Sequence, residues 1–307
     1  MRWEKKMPAR ARGIPNYPQQ TSANPWNEKP MRQRLVLGGG AGTVRDLSPK
    51  GLARLEHQLL VGDPRALFGT ERWAFRSDDE LVSLRSEVWG LVPKEEKFWL
   101  DPDRSLAAMR MAGNRIREVA KSGGRIAFAT GYPGSLLSTY MGLASIAYEY
   151  GAHVLQSKHE PVELEGTPHA TGFRWFHGVG VLARAEALLP TTDPAVGNDM
   201  LYIFGRPDLF VGDGVYAGAM IRAGVNTVVI APPTQPVFGA AHRRTSNVTV
   251  VPTIVGAEPM SYAPLVEAAR EFVDGPQRTP SAERAATAIK SAIREQSWRI
   301  DVIPLKK

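Results

Sequence analysis

The sequence predicts an α/β protein with a doubly wound, mostly parallel, Rossmann-like sheet. From about residue 105 to 275, short apolar runs typical of buried strands alternate with amphipathic helical stretches. Glycines follow several of these stretches, as at Gly123 and Gly224, where a helix is expected to end. The chain has 307 residues, 43% of them hydrophobic, which is enough to bury a core of this kind without disulfide or metal staples.

Within this region the elements follow a βαβ order. The predicted strands share short apolar sequences: 125–130, 153–155, 209–211, 226–230 and 247–251. The predicted core helices are 135–150, 215–223 and 264–273. A pair of strands is expected at the edge of the sheet within 172–189. Because helices separate the short buried strands, neighbouring strands should run parallel.

Four regions are expected along the chain. They are an extended Pro-rich basic arm at 1–35, a small, mostly helical region at 36–104, the Rossmann-like core at 105–275, and a C-terminal helix (281–297) and tail at 276–307.

Composition excludes several classes of chemistry. The chain contains no cysteine, which rules out disulfides, thiolate metal sites and cysteine nucleophiles. No stretch approaches the ~20 apolar residues that cross a bilayer, and the N-terminus lacks the apolar segment of a secretory signal. We therefore expect a cytoplasmic protein that does not contact membranes.

The positive charge is concentrated in residues 1–35, which hold eight cations and two anions, a net charge of +6. The same segment has five prolines and no helical or strand periodicity. It is either a solvated tail or an arm that becomes ordered on an acidic partner, such as nucleic acid or a protein assembly. The aromatic residues Trp3, Tyr17 and Trp26 favour contact. The glycines at 38–42 predict a flexible hinge at the root of the arm, with a phosphate-binding turn as the alternative.

Two loops follow predicted strands at the edge of the sheet where ligands bind in open parallel sheets. The first contains Thr130, Gly131, Gly134 and Ser135, whose small size, hydroxyl groups and helix-start N–H groups suit the phosphate of an anionic small molecule. The alternative is that these residues only make a tight turn between a strand and a helix.

The second loop places Asp213 at a strand end beside a helix start. A carboxylate there suits Mg²⁺, a sugar hydroxyl or a lysine, so Asp213 is the candidate catalytic and metal-binding residue, with Mg²⁺ as the candidate cofactor. The alternative is that Asp213 only caps the helix. Arg243 and Arg244, after a later strand, are candidates to clamp the same phosphate, or else belong to a solvated loop.

Histidines add no further site. None of the six has a partner at the helical spacing of a zinc motif. His159 and His169 are expected in an exposed loop, and His177 on a strand as a packing residue.

The second loop resembles the fourth motif of haloacid-dehalogenase-like phosphatases. Here it reads Phe210-Val-Gly-Asp213-Gly, followed by Arg222-Ala-Gly-Val225. The resemblance implies that Asp213 is a magnesium ligand and that Thr130 supplies the hydroxyl motif. However, no apolar strand ends in the Asp-x-Asp-x-Thr pattern that carries the nucleophile of that family. A competent member of that superfamily is therefore not expected.

A longer resemblance covers about 98–273 and includes the sequences at 125–137, 178–181, 208–213 and 262–265. This region is similar to a bacterial α/β family usually labelled only "phosphatase". The resemblance implies a phosphate-handling site near both loops. This chain departs from the family pattern in having Tyr132 and Pro190-Thr-Thr192 where relatives carry histidines. If those histidines are metal ligands or acid–base groups in the family, this chain lacks them.

Two functions are consistent with the sequence. The first is a phosphatase-like protein that binds a phosphorylated or other anionic small molecule and acts as a metal-assisted phosphate ester hydrolase. The second is a catalytically degenerate scaffold that docks through residues 1–35 onto a nucleoprotein or multiprotein assembly.

Overall fold

The computed structural model describes residues 29–44, 49–73, 75, 77–94, 97–157, 162–163 and 171–271. Ten α-helices lie within these ranges: α1 (Met31–Leu37), α2 (Pro49–Leu60), α3 (Pro64–Leu67), α4 (Asp78–Leu84), α5 (Pro102–Lys121), α6 (Pro133–Glu149), α7 (Pro194–Phe204), α8 (Gly214–Arg222), α9 (Pro236–Arg244) and α10 (Ala263–Arg270). A π-helical turn, Arg85–Trp89, follows α4. The predicted C-terminal helix and most of the predicted arm lie outside the described residues.

Twelve strands lie within the same ranges: β1 (Gly42–Val44), β2 (Val92–Lys94), β3 (Lys97–Leu100), β4 (Arg125–Thr130), β5 (His153–Leu155), β6 (Val162–Glu163), β7 (Thr171–Phe176), β8 (Val179–Arg184), β9 (Ala187–Leu188), β10 (Leu209–Gly212), β11 (Thr227–Ala231) and β12 (Val248–Pro252). The first three form a small antiparallel sheet in the order β1-β3-β2, and the others form the central sheet.

The central sheet has the order β12-β11-β10-β4-β8-β7-β6, and its middle is parallel. β4 shares one of its edges between two parallel partners, since its first half pairs with β5 and its second half with β8. Strands β6, β7 and β9 add antiparallel pairing on one side. The predicted doubly wound, mostly parallel α/β fold is confirmed.

The direction of the chain reverses between β4 and β10. After β4 the chain passes through α6 to β5 on one side, and after β10 it passes through α8 to β11 on the other. Helices α5, α6 and α10 pack together, as do α7 and α8. Because right-handed crossovers that move in opposite directions along a sheet lie on opposite faces, α6 and α8 are on opposite faces of this sheet. The crevice beyond the carboxyl ends of β4 and β10 is therefore the topological switch point, where open α/β sheets bind ligands.

Close helix packing depends on two glycines. A Cβ at Gly113 of α5 would lie 2.1 Å from the carbonyl oxygen of Ala269 in α10. A Cβ at Gly197 of α7 would lie 2.3 Å from the carbonyl oxygen of Val215 in α8. Any larger residue at either position would push the helices apart, because a packed core does not absorb such overlap.

The described residues before α5, which we call the N-terminal layer, form α1 to α4 and the small sheet β1-β3-β2. Within this layer Trp89 is fully buried and donates its indole N–H to the carbonyl oxygen of Ala231 at 2.8 Å. The helices agree with the sequence prediction, but the small sheet was not predicted. No helix among the described residues has the length and apolar character that a membrane crossing requires.

The root of the predicted arm is part of the folded structure. Residues 31–35, assigned to the arm from the sequence, belong to α1, where Leu35 is 0% exposed. Arg34 is also buried and donates from Nη1 to Glu267 Oε1 of α10 at 2.7 Å. The hinge prediction at 38–42 is wrong, because the carbonyl oxygen of Gly40 accepts hydrogen bonds from Thr253 Oγ1 at 2.8 Å and from the N–H of Ile254 at 2.9 Å.

Two further predictions need correction. The strand pair within 172–189 exists as β7 and β8, but β8 lies inside the sheet against β4 rather than at its edge. Arg243 and Arg244, for which a loop was expected, end the helix α9. The prolines before and at the start of α9 favoured the prediction of a loop. Proline at the first helical positions is nevertheless compatible with helix formation.

Candidate functional site

Two of the predicted loops meet at the switch point. Because β4 and β10 pair in parallel, with Gly212 opposite Ala129, the residues that follow them are neighbours. Thr130 donates its hydroxyl hydrogen to Asp213 Oδ2 at 2.6 Å, and the backbone N–H of Gly131 donates to Asp213 Oδ1 at 2.7 Å. We call the arrangement of Thr130, Gly131 and Asp213 the junction.

Asp213 occupies the N-cap position of α8 with extended backbone angles, φ −144° and ψ 175°. Its side chain nevertheless makes no capping hydrogen bond to that helix. Both carboxylate oxygens instead cross to the loop after β4. Helix capping therefore does not explain this side chain.

The environment of Asp213 controls its protonation. The residue is 0% exposed. Burial raises the pKa of Asp213 to about 7, although the hydrogen bonds from Thr130 and Gly131 favour the ionised form. None of the described residues forms an ion pair with it within 4.0 Å. This carboxyl group therefore exchanges its proton near neutral pH.

Three tyrosines surround the carboxylate: Tyr132 precedes α6, Tyr140 lies within α6, and Tyr216 lies in the first turn of α8. Burial, and secondarily the charge of Asp213, raises the pKa of Tyr132 to about 12 and raises those of Tyr140 and Tyr216 well above the usual tyrosine value. All three hydroxyls consequently stay protonated at physiological pH. The sequence pattern singled out neither Tyr140 nor Tyr216 as a site residue.

The start of α9 joins the same junction. Gln235, 3% exposed, occupies the N-cap position of α9 and donates from Nε2 to the hydroxyl oxygen of Tyr132 at 2.6 Å. The backbone N–H of Tyr132 donates to Thr130 Oγ1 at 3.0 Å. The N-terminal ends of α6, α8 and α9 thus converge around Asp213. Nothing in the sequence pattern indicated Gln235.

The remaining two residues of the loop, Gly134 and Ser135, lie at the start of α6. Gly134 is exposed, and no atom lies within 4 Å of a Cβ built at this position. Ser135 is 8% exposed, and its hydroxyl donates to the carbonyl oxygen of Tyr132 at 3.4 Å. Both lie in the first turn of α6, where Pro133 has no N–H and the N–H of Ser135 donates to the carbonyl oxygen of Tyr132 at 3.1 Å.

The structure does not bring Arg243 and Arg244 to the junction. They end α9, whose first residue follows Gln235, and the nine-residue helix separates its two ends by about 13 Å. Arg243 forms an ion pair with Glu87, and Arg244 forms one with Glu80.

The two departures from the family pattern are close in space. Tyr132 follows Gly131 in the first loop, and the N–H of Thr191 donates to the carbonyl oxygen of Gly131 at 3.3 Å. His159 and His169 lie outside the described residues. His177 lies in the turn between β7 and β8 rather than on a strand, and its Nε2 is 3.0 Å from Ser145 Oγ.

The described residues do not fit a Mg²⁺ ion at the junction. Magnesium prefers near-octahedral oxygen ligands, usually with one or two carboxylates among them. Here both oxygens of Asp213 already accept hydrogen bonds. The described ranges contain no group of three or more His, Cys, Asp or Glu residues that could hold a metal ion. We therefore derive no step through a metal.

Fold and site together define an α/β protein with a titratable carboxyl group at its topological switch point. A model of the family described as Phosphatase matches residues 27–271, so the chain belongs to that family. The chain is also similar to the phosphatase SCO2771 of Streptomyces coelicolor, with 28% identity over 238 residues, which cover 72% of this chain and 86% of that protein. The resemblance of about 98–273 to a bacterial family labelled "phosphatase" is confirmed.

Proposed function

We propose that this protein binds the phosphate group of a phosphorylated small molecule at the junction and hydrolyses its ester bond. The observation that carries the proposal is the position of Asp213, a buried carboxyl group with a pKa of about 7 at the switch point of the sheet. Membership of the Phosphatase family supports the same chemistry. Strongly shifted acids in such crevices are typical of functional sites.

Binding of the phosphate is assigned to the first turn of α6. The helix starts at Pro133 with Gly134 exposed, so a phosphate can approach the backbone without meeting a side chain at that position. The helix dipole and the N–H of the exposed Gly134 favour an anion at such an end. Ser135 and the half-buried Tyr132 add hydroxyl groups beside it.

Asp213 is assigned to proton transfer. Hydrolysis forms a bond between phosphorus and the oxygen of water, breaks the bond to the leaving alcohol, and moves one proton from the water to that alcohol. An acid–base group is most effective when its pKa is near the working pH. Asp213 lies behind the loop. We assign the transfer of the proton between the bound substrate and Asp213 to the Thr130 hydroxyl, whose oxygen is 2.6 Å from Asp213 Oδ2.

Phosphate release from a panel of phosphate monoesters, with EDTA present, tests this proposal. Asp213→Asn should lower kcat/KM by about 10²- to 10⁴-fold, the usual contribution of acid–base catalysis. The matched control is Asp208→Asn, which changes an aspartate just before β10 whose Oδ2 accepts from the N–H of Arg125. A wild-type protein without activity on any ester, or an Asp213→Asn variant with full activity, would contradict the proposal.

The second candidate is the catalytically degenerate scaffold. Two observations favour it: Asp213 is fully buried with both oxygens occupied, and residues 1–30, which precede α1, carry a net charge of +4. Since α1 begins at Met31, the test compares the full chain with a form that lacks residues 1–30. An affinity for RNA, DNA or heparin that falls more steeply with salt in the full chain supports docking through the arm. Equal salt slopes remove these polyanions as partners.

A further inference from the structure

The amide oxygen of Gln235 is a buried acceptor that lacks a donor. The residue is 3% exposed, its Nε2 donates to Tyr132, and its Oε1 has no hydrogen-bond partner. Leaving a buried polar atom unpaired destabilises the folded protein, so an atom of this kind indicates a missing partner. Gln235 lies where α6 and α9 begin, at the candidate site. The missing partner is therefore a group that binds at this site.

The neighbouring Tyr132 supplies the complementary group. Its oxygen accepts the hydrogen from Gln235 Nε2 at 2.6 Å, which leaves its own hydrogen available to another acceptor. With a pKa of about 12, the hydroxyl keeps that hydrogen at physiological pH. The pair therefore presents one donor, the Tyr132 hydroxyl, beside one acceptor, Gln235 Oε1.

The chemistry of this pair selects among oxyanions. The monoanion of a phosphate monoester carries one P–OH donor together with acceptor oxygens, and its second pKa is near 6. Sulfate carries acceptors alone in the same pH range. An unpaired Gln235 Oε1 and the buried carboxylate of Asp213 both favour a ligand that brings a hydrogen and disfavour one that does not.

We infer that Tyr132 and Gln235 form the recognition pair of this site, which selects a singly protonated phosphate group over sulfate. Tyr132 donates to an unprotonated phosphate oxygen, and Gln235 Oε1 accepts from the P–OH group. This inference rests on the proposed function and adds the protonation state of its substrate. Because Gln235 is buried and Tyr132 half-buried, the Tyr132 side chain must shift to admit the ligand.

Calorimetric titration of the full chain with inorganic phosphate and with sulfate at pH 6 tests the inference. Wild type should bind phosphate about 10-fold more tightly than sulfate, since hydrogen bonds involving charged groups contribute about 1.5–3 kcal/mol. Gln235→Leu should reduce the ratio of phosphate to sulfate affinity to about 1. Tyr132→Phe should weaken the binding of both anions to a similar degree. Gln33→Leu, which changes an exposed glutamine on α1, is the matched control and should keep the wild-type ratio.

A second measurement does not depend on how the variants fold. In wild type the ratio of methyl phosphate to methyl sulfate affinity should fall between pH 5 and pH 8.5, because the phosphate monoester, whose second pKa is near 6, then loses the hydrogen that Gln235 requires. The same fall should appear in Asp213→Asn, in which this carboxyl group no longer ionises, and the three tyrosines stay protonated throughout. A ratio that stays constant with pH, or that is unchanged in a folded Gln235→Leu variant, would overturn the inference.

Failure of the inference can be distinguished from failure of the proposed function. Ester hydrolysis with no preference for phosphate over sulfate overturns the recognition pair and leaves the proposed function in place. Selective phosphate binding without hydrolysis of any ester overturns the proposed function and supports the pair. Absence of binding by either anion to wild type overturns both.

Discussion

Arg85 in the N-terminal layer and Asp213 at the junction are both buried, but only Arg85 has a partner of opposite charge. Arg85 donates from Nη1 to Glu56 Oε1 at 2.6 Å and from Nε to the carbonyl oxygen of Pro233 at 3.3 Å. Asp213 accepts hydrogen bonds from a hydroxyl and a backbone N–H.

This difference separates a structural charge from a titratable one. Burial lowers the pKa of Arg85, but the attraction of Glu56 opposes that shift and an arginine stays charged in any case. Burial of Asp213 meets no opposing cation among the described residues, and its pKa rises to about 7. The buried ion pair connects two elements of the fold, whereas the unpaired acid exchanges a proton in the physiological range.

The largest expected effect is on the pH dependence of stability. The folded-state pKa of Asp213 lies above its unfolded value near 4, so the stabilising contribution is complete below pH 4 and is lost as pH rises through 7. Asp213→Asn removes the ionisable group, so the variant does not lose this stability as pH rises. Between pH 4 and pH 8 the free energy of unfolding of the variant should gain about 4 kcal/mol relative to wild type. Urea denaturation at several pH values measures this, and a difference that does not change with pH would contradict it.

The second-largest effect is expected when the ion pair between Arg85 and Glu56 is broken. Arg85→Met leaves Glu56 without its cation and should lower the free energy of unfolding by about 3 kcal/mol, as expected for removal of one partner from a buried pair. Glu56→Gln, whose side chain is partly exposed, should cost less. Urea denaturation at pH 7 compares the two. Equal, small losses of under about 0.5 kcal/mol would show that the pair does not stabilise the layer.

A third test concerns α1, which connects the N-terminal end of the described chain to α10. Leu35→Ala should lower the free energy of unfolding by about 2 kcal/mol, since the deleted methyl groups leave a fully buried site. Leu37→Ala, on the same helix but 56% exposed, is the control and should cost under about 0.5 kcal/mol. Similar thermal denaturation midpoints for the two variants would show that α1 is not packed as described.

The smallest effects are expected at the end of α9. Arg244→Ala removes a partly exposed ion pair with Glu80 and should cost under about 1 kcal/mol. Because the structure does not bring this side chain to the junction, phosphate release should stay within about twofold of wild type. A loss of tenfold or more in kcat/KM would show that Arg244 contributes to the phosphate site.

Much of the fold was predictable because the chain follows simple periodic rules. The strands from β4 to β12 that pair in parallel are short apolar runs, and the proximity of Thr130 and Asp213 follows from two parallel strands that end at the same edge of the sheet. The burial of Leu35 was not predictable, since it depends on packing against distant elements and the local sequence is basic and Pro-rich.

The site was predictable only in part. Asp213 looked equally suited to helix capping, and only the three-dimensional structure shows that its side chain turns to the neighbouring strand. Gln235 carries no motif and reaches Tyr132, 103 positions away in the sequence, only because α9 begins beside α6. Arg243 and Arg244 follow a strand in sequence, but a helix carries them away from its carboxyl end.

The titration of Asp213 tests the central claim most directly. Carbon-13 NMR of the aspartate carboxyl groups, with the Asp213 signal assigned by its loss in Asp213→Asn, gives the pKa in the folded protein. The structure predicts a midpoint of about 7. A midpoint below 5 would show that the carboxylate is stabilised by solvent or by a cation, and would contradict the account of an unpaired, proton-exchanging acid at the switch point.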